Sequence, residues 1–137
     1  MQAINCTRQQ RLIVNGTVAR TAADRRRGLL GRQFMKPGDG LVLPGTKSIH
    51  TFGMRFPIDV VFLDSNGCVI HLIEKVTPSR VSPLVWRSAW ALEMPAGTLA
   101  QTGTELGDHI ELNDDGEHPP VPSAENALPN PASGETA

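Results

Sequence analysis

"PIDVVFLDSNGCVIHLIEKV", Pro57 to Val76, decides how this chain folds. Its first half, bounded by Pro57 and a Ser-Asn-Gly stretch, is short and rich in β-branched and aromatic residues, which predicts a strand rather than a helix. Alternation sets Ile58, Val60 and Phe62 on one face and Asp59, Val61 and Leu63 on the other. Both faces are apolar apart from Asp59, so the strand must be covered on both sides. Asn66-Gly67 then turns the chain into an antiparallel partner, "CVIHLIEKV", in which His71 shares a face with Val69, Ile73 and Lys75.

Working outward, "GDGLVLPG" predicts a short strand ended by Pro44. "RLIVNGTVAR" sets Asn15-Gly16 between apolar residues and predicts a first tight hairpin. "TAADRRRGLLGR" offers Thr21 as an N-cap, Asp24 three residues on and Gly31 as a stop, giving a short helix from about Ala22 to Leu30. Downstream, "TPSRVSPLVW" is a Pro-punctuated connection. "WRSAWALEMPAG" reads as a strand with Trp86, Ser88, Trp90, Leu92 and Met94 on one face and Arg87, Ala89, Ala91 and Glu93 on the other. "TLAQTG" supplies one helical turn and "DHIEL" a last strand.

These elements predict an α+β fold: a strand-rich single domain whose mostly antiparallel sheet curls into a small barrel or sandwich, with one short helix. The 137 residues suffice for one modest core. Residues 1–10 are expected to be a flexible N-terminus and residues 11–112 the globular domain. Residues 113–137, with five prolines, five acids and no base, have the composition of a disordered acidic tail.

The net charge of -1 hides a polarity: seven of the 13 basic residues lie between Arg8 and Arg32, and none follows Arg87. A basic surface would therefore have to come from the N-terminal third, and "RRR" without interleaved aromatics reads as a solvated helix face rather than a nucleic-acid contact. The N-terminus has no apolar run of signal-peptide length, and nowhere do about 18 apolar residues follow one another, so a cytoplasmic protein without membrane contact is expected. Cys6 and Cys68 lack CxxC spacing and are expected to be reduced thiols.

The order of motifs resembles a known bacterial and archaeal family, the domain of unknown function family 192. The resemblance rests on "RRRGLLGR", "GDGLVL", "SIHTFGMRFPIDVVFLDSNGCVI", "ALEMPAG" and Gly107-Asp108, and spans roughly Leu12 to Leu112. It implies a compact, strand-rich domain with little helix and no established activity. The acidic tail is not part of the family pattern.

Several chemistries can be weighed on the residues. His50, Phe52 and Met54 would share a face if extended, but at about 3.3 Å per residue the His50 and Met54 α-carbons would stand roughly 13 Å apart. That span is wrong for one ion, and no metal or cofactor is expected. Gly28 and Gly31 lie at the carbonyl-rich end of the expected helix, which argues against a phosphate cradle. Asp59 and Glu93 interrupt apolar faces, where a carboxyl needs a partner.

The function these features suggest is a non-catalytic accessory module that binds a small molecule or a protein partner. Its expected site is a mixed-charge cleft lined by Arg32, His50, Met54, Arg55, Asp59 and Glu93. The alternative is a small hydrolase or lyase using His50 with Asp59 or Glu93 as acid/base groups. Neither nucleic acid nor membrane is the expected partner, and the protein is expected to be a monomer.

Overall fold

The computed structural model describes residues 1–20, 24 and 33–114. Its elements are β1 (Gln2–Asn5), β2 (Gln10–Ile13), β3 (Asn15–Val18), β4 (Asp39–Pro44), β5 (Ile58–Leu63), β6 (Val69–Val76), β7 (Trp90–Pro95), α1 (Thr98–Thr102) and β8 (Ile110–Asn113). The strands form two sheets, one of order β2-β1-β8 and one of order β3-β4-β7-β5-β6. All pairings are antiparallel except β3 with β4. The fold is thus strand-rich α+β, and neither sheet closes into a barrel.

β5 is hydrogen-bonded on both sides, and all six of its residues are buried, as its two apolar faces require. The β5–β6 hairpin forms where the Asn-Gly pair predicts it. Asp64 Oδ1 accepts from the Asn66 and Cys68 N–H groups at 2.9 Å each, and Gly67 takes the left-handed conformation at φ 85°.

One face of the larger sheet packs on the smaller one. Val42, Val61, Leu63, Leu92 and Met94 meet Ala3, Leu12, Ile13 and Ile110 in a single apolar core. The opposite face carries Leu41, Leu43, Ile58, Val60, Phe62 and Ala91, and is covered by non-sheet chain through Met35, Ile49, Met54 and Phe56.

Two interlocked loops supply much of that cover. In residues 46–57 the buried Thr51 donates its N–H to the Arg80 carbonyl at 2.9 Å and its hydroxyl to the Thr77 carbonyl at 2.7 Å. Ser82 Oγ accepts from the Ile49 N–H, and Lys47 Nζ donates to the carbonyls of Trp86 and Ser88.

Three expectations are corrected. Asn15-Gly16 does not turn the chain: both residues lie inside β3, which pairs in parallel with β4 rather than with β2. Gly16 serves a close approach instead, donating to the Met1 carbonyl at 2.9 Å, where a Cβ would meet that oxygen at 2.6 Å. The first ten residues are not a flexible end either, because β1 is the middle strand of its sheet, with Ala3, Ile4 and Asn5 buried. Finally, Trp86 lies before β7 rather than in it and is 74% exposed, whereas Trp90 packs against the inter-sheet core.

The helix expected over Ala22 to Leu30 falls, apart from Asp24, outside the described residues, as does the tail from residue 115. Cys6 and Cys68 are both free thiols. Among the described residues, no helix is long and apolar enough to cross a membrane.

Candidate functional site

Glu93 sits in the middle of β7, itself the central strand of the larger sheet, with Leu41 of β4 on one side and Val60 of β5 on the other. It therefore projects from the loop-covered face among aliphatic neighbours, and only 6% of the residue is exposed. Among the described residues, none reaches its carboxyl group with a hydrogen bond or an ion pair. Burial without a compensating charge pushes its pKa from 4.5 up to about 7. Among the described residues, Asn113 Nδ2 is the one fully sealed side-chain nitrogen or oxygen without a hydrogen-bond partner.

Asp59 presents the opposite arrangement. It is wholly buried, and its two oxygens are engaged by three backbone N–H groups: Lys75 to Oδ1 at 2.9 Å, and Gly97 and Leu99 to Oδ2 at 3.0 and 2.9 Å. Gly97 holds the N-cap position of α1 at φ 101° and has no side chain with which to cap it. Asp59 performs that office from another strand. Its bond to Lys75 fixes the irregular register between β5 and β6, where Lys75 adopts φ 53°.

The other expected site residues are scattered. His50 is exposed, forms an isolated bridge with Val81 and sets its ring 5.5 Å from that of Phe52. Met54 is buried in the core of the loop-covered face, after a turn at Phe52-Gly53 where Gly53 has φ 81°. That bend separates Met54 from His50 and Phe52, which an extended segment would have aligned. Arg55 is exposed, and Arg32 lies outside the described residues.

Glu93 and Met54 thus share the loop-covered side of the larger sheet, whereas Asp59 projects from the other side. The five of these residues that are described do not line one cleft. His50 cannot exchange a proton with Asp59 through this geometry, and no hydrogen bond joins it to Glu93. Among the described residues, no group of three or more His, Cys, Asp or Glu side chains is gathered closely enough to hold a metal ion.

A second polar centre escapes sequence reasoning. Asp108 is fully buried and accepts from Asn5 Nδ2 at 2.9 Å, Arg8 Nε at 3.0 Å and the Glu105 N–H at 3.0 Å. Burial pushes its pKa up, but the hydrogen bonds from Arg8 and Asn5 outweigh this and hold it below the ordinary value. The network joins the β1–β2 turn to the loop before β8. Its one signal in the sequence is Gly107-Asp108, and nothing there names partners about a hundred residues away.

Solved structures with the same architecture carry no assigned chemistry that transfers. A protein of unknown function from Novosphingobium aromaticivorans superposes with a TM-score of 0.70 at 20% identity, covering 81% of this chain and 82% of that one. A Sinorhizobium meliloti protein, provisionally described as a transcription regulator, gives a TM-score of 0.61 at 26% identity over 70% of this chain and 79% of that one.

In sequence, a UPF0127 protein from Thermococcus sibiricus is 31% identical over 115 residues, which is 81% of this chain and 74% of the relative. A UPF0127 protein from Pyrococcus horikoshii is 38% identical over 88 residues, 60% of this chain and 76% of the relative. The family model described as "Uncharacterized ACR, COG1430" matches residues 3–112, from β1 through β8, and this chain accordingly belongs to the DUF192 family.

Proposed function

We propose that this protein is a non-catalytic small-ligand-binding module whose site is the loop-covered face of the five-stranded sheet, centred on Glu93. One observation carries the reading: a carboxyl group almost wholly buried among aliphatic side chains, with no partner among the described residues. A buried polar group normally finds its hydrogen bonds within the protein, and Asp59 and Asp108 both do so. Glu93 is left for a partner from outside.

The interlocked loops favour binding over turnover, because they form a knitted cover rather than a hinged one. The acid/base alternative has less support. Asp59 is committed to three backbone groups, and the exposed His50 ring rests beside Phe52.

The test is an amide NMR titration of the full chain with a small-molecule panel containing alcohols, carboxylic acids, amides and amines. Saturable shifts centred on Leu41, Val60, Ala91 and Glu93, lost in Glu93→Leu but with the spectrum otherwise retained, are expected. Shifts confined to residues on the other side of the sheet, or none with any class, would overturn the reading.

A further inference from the structure

We infer that the Glu93 site takes a small organic cation, a primary or secondary ammonium carried on an apolar body. This rests on the binding reading above and names the chemistry it selects. No described residue donates to the carboxyl, so the ligand is the source of the donor. An N–H that is also positively charged gives the stronger bond, because charge-assisted hydrogen bonds are about twice as strong as neutral ones and the low local dielectric deepens the attraction.

The surroundings choose the rest of the molecule. The cross-strand neighbours Leu41 and Val60 are aliphatic, and the same-face neighbours along β7 are Ala91 and Pro95. From the loop cover, Met54 and Phe56 turn inward, while the charged or titratable His50 and Arg55 are exposed. Nothing described on these elements would pair with the hydroxyls of a sugar, and above neutrality, where Glu93 is ionised, a carboxylate or phosphate ligand would face it with like charge. Ala91, small and fully buried beside the carboxyl, favours the close approach of a ligand.

The closing experiment uses three molecules of one shape: cyclohexylamine, cyclohexanol and cyclohexanecarboxylate. Each is titrated into the full-length protein and its Glu93→Gln variant at about pH 8, where a carboxyl titrating near 7 is mostly ionised and the amine is protonated. The amine is expected to give saturable shifts at Leu41, Val60 and Ala91, at least about tenfold weaker in Glu93→Gln, with the alcohol weaker than the amine in the parent protein.

Binding of the alcohol or the carboxylate at these amides as tightly as the amine overturns the cation inference and leaves the site standing. Silence from all three overturns the cation inference, and the broader panel then decides whether any site exists. A direct carboxyl titration supplies the independent control. A Glu93 midpoint near 4.5 in the free protein means that a cation of the chain already satisfies it, and both readings fall.

Discussion

Asp59 and Glu93 lie one register step apart on neighbouring strands, Asp59 opposite Met94 and Val60 opposite Glu93, yet they project from opposite faces of the same sheet. One carboxyl is saturated by backbone donors, and no described residue donates to the other. Two residues that look alike in sequence therefore have different work, and each predicts a different response to mutation.

Replacing Asp59 by alanine orphans three buried N–H groups at once. At about 1 kcal/mol or more for each lost bond, stability should fall by roughly 3 kcal/mol. Asp59→Asn should cost less, because its remaining oxygen can serve the Gly97 and Leu99 pair while its amide opposes the Lys75 N–H. Urea denaturation measures the loss. Hydrogen exchange locates it: the Lys75 and Leu99 amides should lose protection in Asp59→Ala, and unchanged protection there would contradict the capping role.

Glu93 makes stability fall as pH rises. The folded protein keeps its proton up to about pH 7, whereas the unfolded chain releases it near the ordinary 4.5. Between these values the native state binds more protons, so stability declines across the window by about 3 kcal/mol in total. Glu93→Gln should remove that slope, matching the parent protein below the window and exceeding it in stability above neutrality. Denaturation curves at a series of pH values would expose a failure as parallel profiles.

Asp108 has the opposite sign. Its folded-state pKa lies below the ordinary value, so its contribution is present above that value and disappears as pH falls through the folded one. Arg8→Met should weaken this acid limb. The guanidinium is about a third exposed, so a loss of only about 1–2 kcal/mol at neutral pH is expected, confined to the contacts of the β1–β2 turn. Acid unfolding of the variant at the same midpoint as the parent would remove Arg8 from the account.

Cys6 should be a slow thiol. Its partly shielded sulfur, together with the Glu111 carboxylate 3.5 Å away, pushes its pKa up to about 11, leaving on the order of one thiolate per thousand molecules near pH 8. Glu111→Gln should accelerate its alkylation several-fold. Mass spectrometry of iodoacetamide-treated protein reads the rate, and equal rates would show that Glu111 does not control it.

Gly40 tests the contact between the sheets. A Cβ there would meet Ile13 Cδ1 at 2.4 Å and Cγ1 at 2.5 Å, and Ile13 is fully buried. Gly40→Ala should cost about 1–3 kcal/mol through overpacking. Pairing it with Ile13→Val should recover part of that loss, and a purely additive double mutant would place the strain elsewhere.

The central hairpin is legible in the sequence because its signals are local and agree: a run apolar on both faces, an Asn-Gly turn and a matching partner strand. Asn15-Gly16 carries the same local signal and misleads, since the deciding contact comes from Met1, just ahead of a strand the residue pattern does not reveal. Trp86 misleads for a related reason: alternation continues back through "WRSAW", but Ser88 donates its hydroxyl to the Thr46 carbonyl and draws that segment into the loops.

At the site, Glu93 is legible as a carboxyl on a small-residue face. Its separation from Asp59 follows only from register, a relation between strands rather than a property of either. The choice between a satisfied and an unsatisfied carboxyl is likewise made by distant backbone: the N–H groups of residues 75, 97 and 99 converge on Asp59 and none on Glu93.

The pairing of β1 with β8, Gln2 opposite Asn113, also bears on how the protein is made. As the chain leaves the ribosome, β5 and β6 emerge together and can zip at once, whereas β1 emerges first and must wait for β8. Until then one flank of β1 lacks its partner, and the small sheet cannot finish covering Val61 and Leu63. Completion of this fold therefore waits for β8 to emerge, and the nascent chain's exposed apolar face is what a chaperone would meet in the interval.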